Sequence, residues 1–162
     1  MKKNVIVGQS GGPTAVINAS LYGVVSEALA REDDIENVYG MVNGIEGFLN
    51  GQVMNMKPLE ESGELKLIRT TPGSYLGSCR YKLPEDLEDK VYPELFEKFT
   101  EYGIGYFFYI GGNDSMDTVS KLSRYAEKNG SDICFIGIPK TIDNDLVHTD
   151  HTPGFGSAAK YV

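Results

Sequence analysis

The sequence predicts an α/β fold, in which a mostly parallel β-sheet is flanked by helices on both faces. Short apolar runs alternate with longer amphipathic stretches along the chain, which is the pattern of repeated strand–helix–strand units. Two runs, residues 105–110 and 133–138, are apolar at almost every position, as in strands that helices cover on both faces. The 162 residues fit a single domain.

The elements follow in order from the same patterns. The predicted strands are the short apolar runs, over residues 4–8, 37–42, 105–110 and 133–138. The predicted helices carry apolar residues three and four positions apart and span residues 14–30, 87–102 and 114–129, with a last helix beginning near Ser157. Residues 44–51 predict a turn with a short helix, and Pro and Gly break residues 52–78 into loops and short elements. The result is a Rossmann-like three-layer sandwich.

Composition limits the classes of function. The net charge of −8 argues against nucleic acid or a membrane surface as the main partner, but it does not exclude a small anionic substrate. We expect a cytoplasmic protein, because no leader is recognisable and no apolar run reaches the ~18 residues of a membrane span. Cys134 stands in an apolar run and is predicted to be a small core residue. The last helix has barely begun at Val162, so we expect residues 1–162 to be part of a longer protein.

Two segments that directly follow apolar strands predict a site for phosphates and a metal ion. The first is Gly111-Gly112-Asn113-Asp114, and the second runs from Lys140 to Asp145. Glycines allow phosphate oxygens to approach backbone N–H groups, and a lysine neutralises their charge. Carboxylates hold Mg²⁺ or accept a proton from a substrate hydroxyl. The structural alternatives are a helix cap at Asp114 and a turn stabilised by Asx side chains over residues 143–145.

Two further loops are candidates for binding phosphate. Residues 8–14 join the first strand to its helix, where glycines and a helix N-terminus favour anions, although a tight turn alone would also require glycine. The loop is neither a dinucleotide-binding fingerprint nor a Walker loop. Residues 74–80 place Arg80 after a glycine among small residues, where a guanidinium can reach a phosphate, or can simply be solvated.

Taken together, the four segments resemble the phosphofructokinase family, and the resemblance extends over essentially the whole chain. Ser10-Gly11-Gly12 is similar to the first phosphate loop of the family, and residues 75–80 are similar to the loop that carries its phosphate-contacting arginine. Thr141-Ile142-Asp143-Asn144-Asp145 is the most specific segment, because it resembles the segment with the catalytic aspartate.

The resemblance implies roles for individual residues. It implies that Asp143 accepts the proton of the sugar 1-hydroxyl and that Asp143, Lys140 and Asp114 are the catalytic group. It implies donor phosphate binding by Gly11, Gly12 and Arg80, and substrate binding by Thr141, Ile142, Asp143 and Asp145. The implied cofactor is Mg²⁺ at Asn113, where many members have Asp, so that the metal ligand is neutral here. The implied whole protein is a homo-oligomer, a dimer or tetramer, whose remaining sugar-phosphate residues lie beyond residues 1–162, so that these residues alone are expected to be inactive.

Two positions distinguish the phosphoryl donors within the family. Asp114 and Lys140 match the pyrophosphate-dependent pattern, whereas ATP-dependent members typically have glycine at both positions. A carboxylate at position 114 would repel the α-phosphate of a nucleotide. The implied reaction is therefore phosphoryl transfer from pyrophosphate to fructose 6-phosphate. The alternatives are an ATP-dependent member, a related NAD or lipid kinase, and a non-catalytic domain that binds a phosphate ligand. The 141–145 segment argues against an NAD or lipid kinase.

Overall fold

A computed structural model describes residues 2–162 of the chain. Its strands are β1 (Lys3–Gln9), β2 (Ile35–Met41), β3 (Val53–Asn55), β4 (Ile104–Gly111) and β5 (Cys134–Pro139). Its helices are α1 (Ile17–Leu29), α2 (Gly44–Leu49), α3 (Lys57–Glu61), α4 (Leu65–Ile68), α5 (Val91–Glu101), α6 (Asn113–Lys128) and α7 (Phe155–Tyr161).

Within residues 2–162, the strands form one five-stranded sheet in the order β3-β2-β1-β4-β5. β1 pairs in parallel with both β2 and β4, and β4 pairs in parallel with β5. The chain leaves β1 in one direction to form β2 and later returns to its other side to form β4. Such a reversal of strand order opens a crevice at the carboxyl ends of the strands, where open α/β sheets bind their ligands.

Helices cover both faces of the sheet and enclose two apolar cores. On one face, α2, α5 and α6 pack on the sheet around an aromatic cluster that includes Phe48, Phe99 and Phe107. On the other face, α1 and α4 pack on Val5 and Val7 of β1. The predicted three-layer α/β sandwich is confirmed.

Two predictions about the sheet are wrong. β5 was expected to be covered on both faces, but it is the edge strand, and Ile136 is 37% exposed. The predicted burial of Cys134 fails for the same reason, because this side chain lies on the uncovered face of β5 and is exposed. An apolar run shows that a strand belongs to a sheet but does not show which of its faces a helix reaches. β3, which the sequence does not predict, is three residues long and pairs antiparallel with β2.

Replacing Phe99 with alanine is expected to destabilise the protein by about 3–5 kcal/mol, the usual cost of deleting a buried phenyl ring. Phe99 is fully buried, and its ring lies 5.2 Å from the ring of Phe48 and 5.5 Å from that of Phe107. Urea unfolding measures the change. Leu67→Ala is the control, because Leu67 is 64% exposed and its loss should change the free energy of unfolding by less than about 0.5 kcal/mol. Equal losses in the two variants would contradict this account of the core.

Candidate active site

Backbone hydrogen bonds hold the ends of three neighbouring strands together. The Ser10 N–H, just after β1, donates to the Ile110 carbonyl at 2.9 Å. The Lys140 N–H, just after β5, donates to the Gly111 carbonyl at the end of β4, also at 2.9 Å. The loops that follow β1, β4 and β5 therefore start side by side at the crevice where the strand order reverses.

The fourth segment, which carries Arg80, is attached directly to the loop after β1. The Gly11 N–H donates to the Cys79 carbonyl at 3.1 Å, and the Ser10 hydroxyl donates to the same carbonyl at 3.2 Å. The Ser78 hydroxyl donates to the Gly11 carbonyl. All four segments that the sequence singles out thus meet at one edge of the sheet, although Arg80 is about seventy positions from Gly11 along the chain.

A cavity of about 400 Å³ opens between these segments. Its walls come from the loops after β1 and β4, the 79–81 segment and the side chain after β5: Ser10, Gly11, Gly12, Cys79, Arg80, Tyr81, Gly112, Asn113, Asp114, Ser115 and Lys140. Two cations, the glycine backbone and the first turn of α6 face this space, and together they favour an anion. We call it the donor cavity, after the phosphoryl donor that the family resemblance predicts here.

Glycine is required at two positions beside this cavity, one in its wall and one at the end of β4. Gly11 has a φ of +74°, a left-handed conformation that residues with a Cβ rarely adopt. A Cβ at Gly111 would collide with the Ser115 side chain on the first turn of α6, so glycine allows α6 to begin directly at the end of β4. These two glycines keep backbone N–H groups close to the cavity.

Lys140 lies at the centre of the site and is 9% exposed. Its ammonium donates to the Gly12 carbonyl. Burial lowers the pKa of Lys140 from its ordinary value, and the positive charge of Arg80 lowers it further. Two cations held this close repel each other, and a bound phosphate anion would relieve that repulsion.

A second cavity, of about 250 Å³, adjoins the donor cavity. Four residues line both cavities, namely Gly12, Gly112, Asn113 and Lys140. The second cavity adds Pro13, Thr14, Thr141, Ile142, Asp143 and Asp145. We call it the acceptor cavity, since it contains the carboxylates that the sequence predicts to handle a substrate proton. Lys140 and Asn113 stand on the boundary between the two cavities.

Local hydrogen bonds shape the loop that presents Asp143. The Asp143 N–H donates to the Thr141 hydroxyl at 2.9 Å, so this carboxylate stands at the start of a tight turn. Asn144 has a φ of +58°, and its amide oxygen accepts from the Thr152 N–H at 2.8 Å. Both Asp143 and Asp145 line the acceptor cavity, as their spacing of two predicts. The loop therefore makes local hydrogen bonds and also brings both carboxylates to the acceptor cavity.

The sequence does not identify Lys82, which the structure places at the site. Its ammonium lies 3.0 Å from a carboxylate oxygen of Asp114, and the two side chains are 70% and 69% exposed. Asp114 is thus a partner for a cation at the mouth of the donor cavity. It does not cap α6, because Gly112 is the N-cap and no side chain makes a capping hydrogen bond there. A lysine two positions after Arg80 was the available signal, but a charged residue in a loop is usually solvated.

Gln9 and Asn18 are also missed by sequence reasoning. Gln9 is fully buried and accepts hydrogen bonds from the Leu76 N–H at 2.8 Å and the Ser74 hydroxyl at 3.1 Å. Asn18 accepts from the Tyr75 N–H at 2.9 Å. The amide of Gln9 also donates to Asn18, so a buried polar pair fixes the start of the Arg80 loop. An unexplained glutamine at the end of an apolar strand was the signal available in the sequence.

The side chains of the site fit a magnesium ion that also binds phosphate. Within residues 2–162 no group of three or more His, Cys, Asp or Glu side chains is arranged to enclose a metal. Mg²⁺ commonly takes only one or two protein ligands and completes its shell with water and substrate phosphates. Oxygens of this kind are available here from Asn113, Asp143 and Asp145, which line the acceptor cavity.

A further cavity, of about 480 Å³, lies between α1 and the exposed face of β5. Its walls are mostly apolar, with Val24, Phe108 and Ile136 among them. It lacks the glycine loops and the two cations that line the donor cavity. Among the helices of the described part of the chain, none has the length and apolar character needed to span a lipid bilayer.

The family model for Phosphofructokinase matches residues 4–162 of the chain. The chain belongs to the phosphofructokinase family. The resemblance carried by the four segments is therefore confirmed, and the match includes each of them. The α/β sandwich is the fold of this family.

Individual relatives agree with this assignment. The chain is 47% identical over 162 residues to the "Pyrophosphate--fructose 6-phosphate 1-phosphotransferase" of Halomonas elongata, covering 98% of this chain and 38% of the relative. A crystal structure described as a pyrophosphate-dependent phosphofructokinase from Nitrosospira multiformis superposes with a TM-score of 0.88 at 45% identity, over 98% of this chain and 39% of that one. The "ATP-dependent 6-phosphofructokinase" of Edwardsiella ictaluri is more distant, at 32% identity over 100% of this chain and 46% of the relative. The chain thus spans less than half the length of these relatives.

Proposed function

We propose that this chain contributes the donor site and the catalytic aspartate of an enzyme that transfers a phosphoryl group from pyrophosphate to fructose 6-phosphate. The products are fructose 1,6-bisphosphate and phosphate. The observation that carries the proposal is the donor cavity, in which Asp114 and Lys140 stand together where an ATP-dependent member would have glycine. The names of relatives that are 47% and 45% identical to this chain support the same donor.

Binding of the donor follows from the groups on the cavity wall. The backbone of Gly11 and Gly12, the first turn of α6 and the Arg80 guanidinium would hold the two phosphates. Asp114 would disfavour a third phosphate beyond them, because its carboxylate repels additional negative charge. Lys140, on the boundary between the cavities, would stabilise the charge on the phosphoryl group as it passes from one to the other.

The acceptor reacts on the other side of Lys140. Thr141, Ile142 and Asp145 would bind the sugar in the acceptor cavity. Asp143 accepts the proton of the sugar 1-hydroxyl as the oxygen of that hydroxyl forms a bond to the phosphorus atom. At the same time the bond between this phosphorus and the bridging oxygen of pyrophosphate breaks, which releases phosphate. Asn113 would contribute an amide oxygen to Mg²⁺, which neutralises phosphate charge when it is bound.

The other features of the whole protein are part of the same proposal. Residues 1–162 would act as its donor-binding domain, with the remaining groups that bind the sugar phosphate supplied from outside this range. A homo-oligomer of two or four chains and a cytoplasmic location remain predictions. The absence of nucleic-acid and membrane partners is also still a prediction, based on the net charge of −8.

Calorimetric titration distinguishes the three candidate functions. We expect pyrophosphate with Mg²⁺ to bind more tightly than ATP with Mg²⁺, and Lys140→Met to weaken pyrophosphate binding. Tighter binding of ATP would favour the ATP-dependent alternative. Binding of pyrophosphate without formation of fructose 1,6-bisphosphate by the whole protein would favour the non-catalytic alternative. Lys160→Met is the control, because Lys160 is an exposed lysine of α7 that lines neither cavity.

A further inference from the structure

The segment that carries Arg80 and Lys82 has no helix or strand to hold it in place. Residues 78–84 form neither element. Its upstream end is attached to β1 and α1 through the buried amides of Gln9 and Asn18. Ser78 and Cys79 are also bonded to the loop after β1, so these attachments all lie upstream of Arg80. An irregular segment that is attached only at its upstream end keeps much of its conformational freedom, and ordering it would then cost free energy at each binding event. A second attachment downstream of Arg80 would remove that cost.

Lys121 of α6 supplies such an attachment, beside the Tyr92 hydroxyl, which donates to the Pro84 carbonyl at 2.5 Å. Its side chain is only 4% exposed. The ammonium donates to the Leu83 carbonyl at 3.1 Å and lies 2.5 Å from a carboxylate oxygen of Glu85. The third acceptor is the Asp117 carboxylate, at 2.6 Å. A lysine has three N–H donors, and each of them has a partner here.

The charge on Lys121 is maintained by these partners. Hydrogen bonds to Asp117 and then to Glu85 raise the pKa of Lys121 above its ordinary value, against the opposing effect of burial. A buried ammonium is tolerated only when it is paired and hydrogen-bonded. If the ammonium is removed, the buried Leu83 carbonyl loses its partner, and the segment loses its attachment to α6.

Lys121 and Asp114 lie seven residues apart on α6, so both are on the same side of the helix. Lys82 contacts Asp114, whereas Leu83 and Glu85 contact Lys121. The segment therefore runs along one side of α6 and is attached at two points. The Lys82–Asp114 pair is exposed and worth little in water. The buried attachment at Lys121 therefore restrains the segment more than the Lys82–Asp114 pair does.

We propose that Lys121 is a positioning residue for donor binding: it fixes residues 80–85 along α6 and so holds Arg80 and Lys82 at the mouth of the donor cavity. Lys121 does not line that cavity, so it acts only through the segment. The identity of the ligand rests on the proposed function, whereas the restraint on the segment does not. Lys121 thereby links the affinity for the donor to an ion pair about 10 Å along the helix from Asp114.

The experiment compares three variants of the enzyme with the wild type. Lys121→Met removes the ammonium and keeps most of the volume, and Lys121→Arg restores a cation that can donate to the same acceptors. Lys128→Met is the matched control, because Lys128 lies on the same helix and pairs with Glu88, just beyond the segment, but is 55% exposed. The measurements are the Kd for pyrophosphate with Mg²⁺, kcat, the KM for fructose 6-phosphate, and hydrogen exchange of the backbone amides of residues 80–85.

We expect Lys121→Met to raise the Kd for pyrophosphate about tenfold or more, the scale of losing a charged hydrogen bond, and to accelerate exchange in residues 80–85. The KM for fructose 6-phosphate and kcat at saturating donor should change less than threefold, roughly the error of such estimates. Lys121→Arg should recover most of the affinity, and Lys128→Met should match the wild type.

Unchanged exchange in residues 80–85 of Lys121→Met would overturn the positioning role, and so would equal effects of Lys121→Met and Lys128→Met. Failure of the wild type to bind pyrophosphate would instead refute the proposed function, while the exchange measurement would still decide the role of Lys121. If Lys121→Met does not fold, Glu85→Ala replaces it, because the Glu85 side chain is 85% exposed. Faster exchange in Glu85→Ala supports the proposal, and unchanged exchange overturns it.

Discussion

Replacing Asp143 with asparagine is expected to lower turnover by about 10²–10⁴-fold, the usual contribution of a general base. The asparagine keeps the shape of the side chain and its capacity to accept hydrogen bonds, but it cannot take up the hydroxyl proton of fructose 6-phosphate at neutral pH. Asp143 is exposed to the acceptor cavity in a turn set by Thr141, so the substitution does not disturb a buried contact. Steady-state kinetics with pyrophosphate as the donor provide the measurement, and the KM for fructose 6-phosphate should change little.

Asp150→Asn is the matched control for this variant. Asp150 is an exposed aspartate of the same loop that lines neither cavity, and only its backbone carbonyl accepts from the Asn144 amide. Its loss should leave turnover unchanged. Near-normal turnover in Asp143→Asn would place the base elsewhere, and Asp145, which lines the same cavity, would be the next residue to test.

Replacing Lys140 is the second large effect that we expect. Lys140→Gly should lower turnover with pyrophosphate by about 10²–10³-fold, the scale of losing one group that stabilises a transition state. The ammonium lies on the boundary between the two cavities, so its charge would act on the phosphoryl group during transfer from the donor to the acceptor. Lys140→Met fills the space without the charge and should show a similar loss, which separates the electrostatic effect from a cavity effect. A Met variant with normal turnover would show that the charge is not needed.

Donor choice is expected to shift when Asp114 is replaced as well. Asp114→Gly removes the carboxylate that repels a third phosphate, so the double variant with Lys140→Gly should bind ATP more tightly than the wild type does. Asp114→Asn serves as the companion variant, because it removes the charge but avoids the cost of glycine in a helix. If the double variant neither gains ATP binding nor loses pyrophosphate activity, the donor assignment is wrong.

The sheet and the convergence of the motifs were predictable for a simple reason. Apolar runs followed by glycine mark strands that end at a loop, and parallel strands all end at the same edge of a sheet. Gly11, Asp114 and Lys140 each follow such a run within a few residues, so their meeting is a consequence of the α/β pattern alone. The place of Arg80 followed only from family resemblance, since no strand leads into its segment.

The sequence by itself determined the fold class, the strands that carry the site and most of the residues that line the two cavities, because these depend on local periodicity and on the residue types that follow each strand. Only the tertiary structure showed that β5 is an edge strand and that Gln9, Lys82 and Lys121 hold the Arg80 segment in place. These residues act through contacts that join positions 32 to 67 residues apart. The sequence around a polar residue does not indicate which residue so far along the chain will contact it. These pairs are therefore known only from the folded structure.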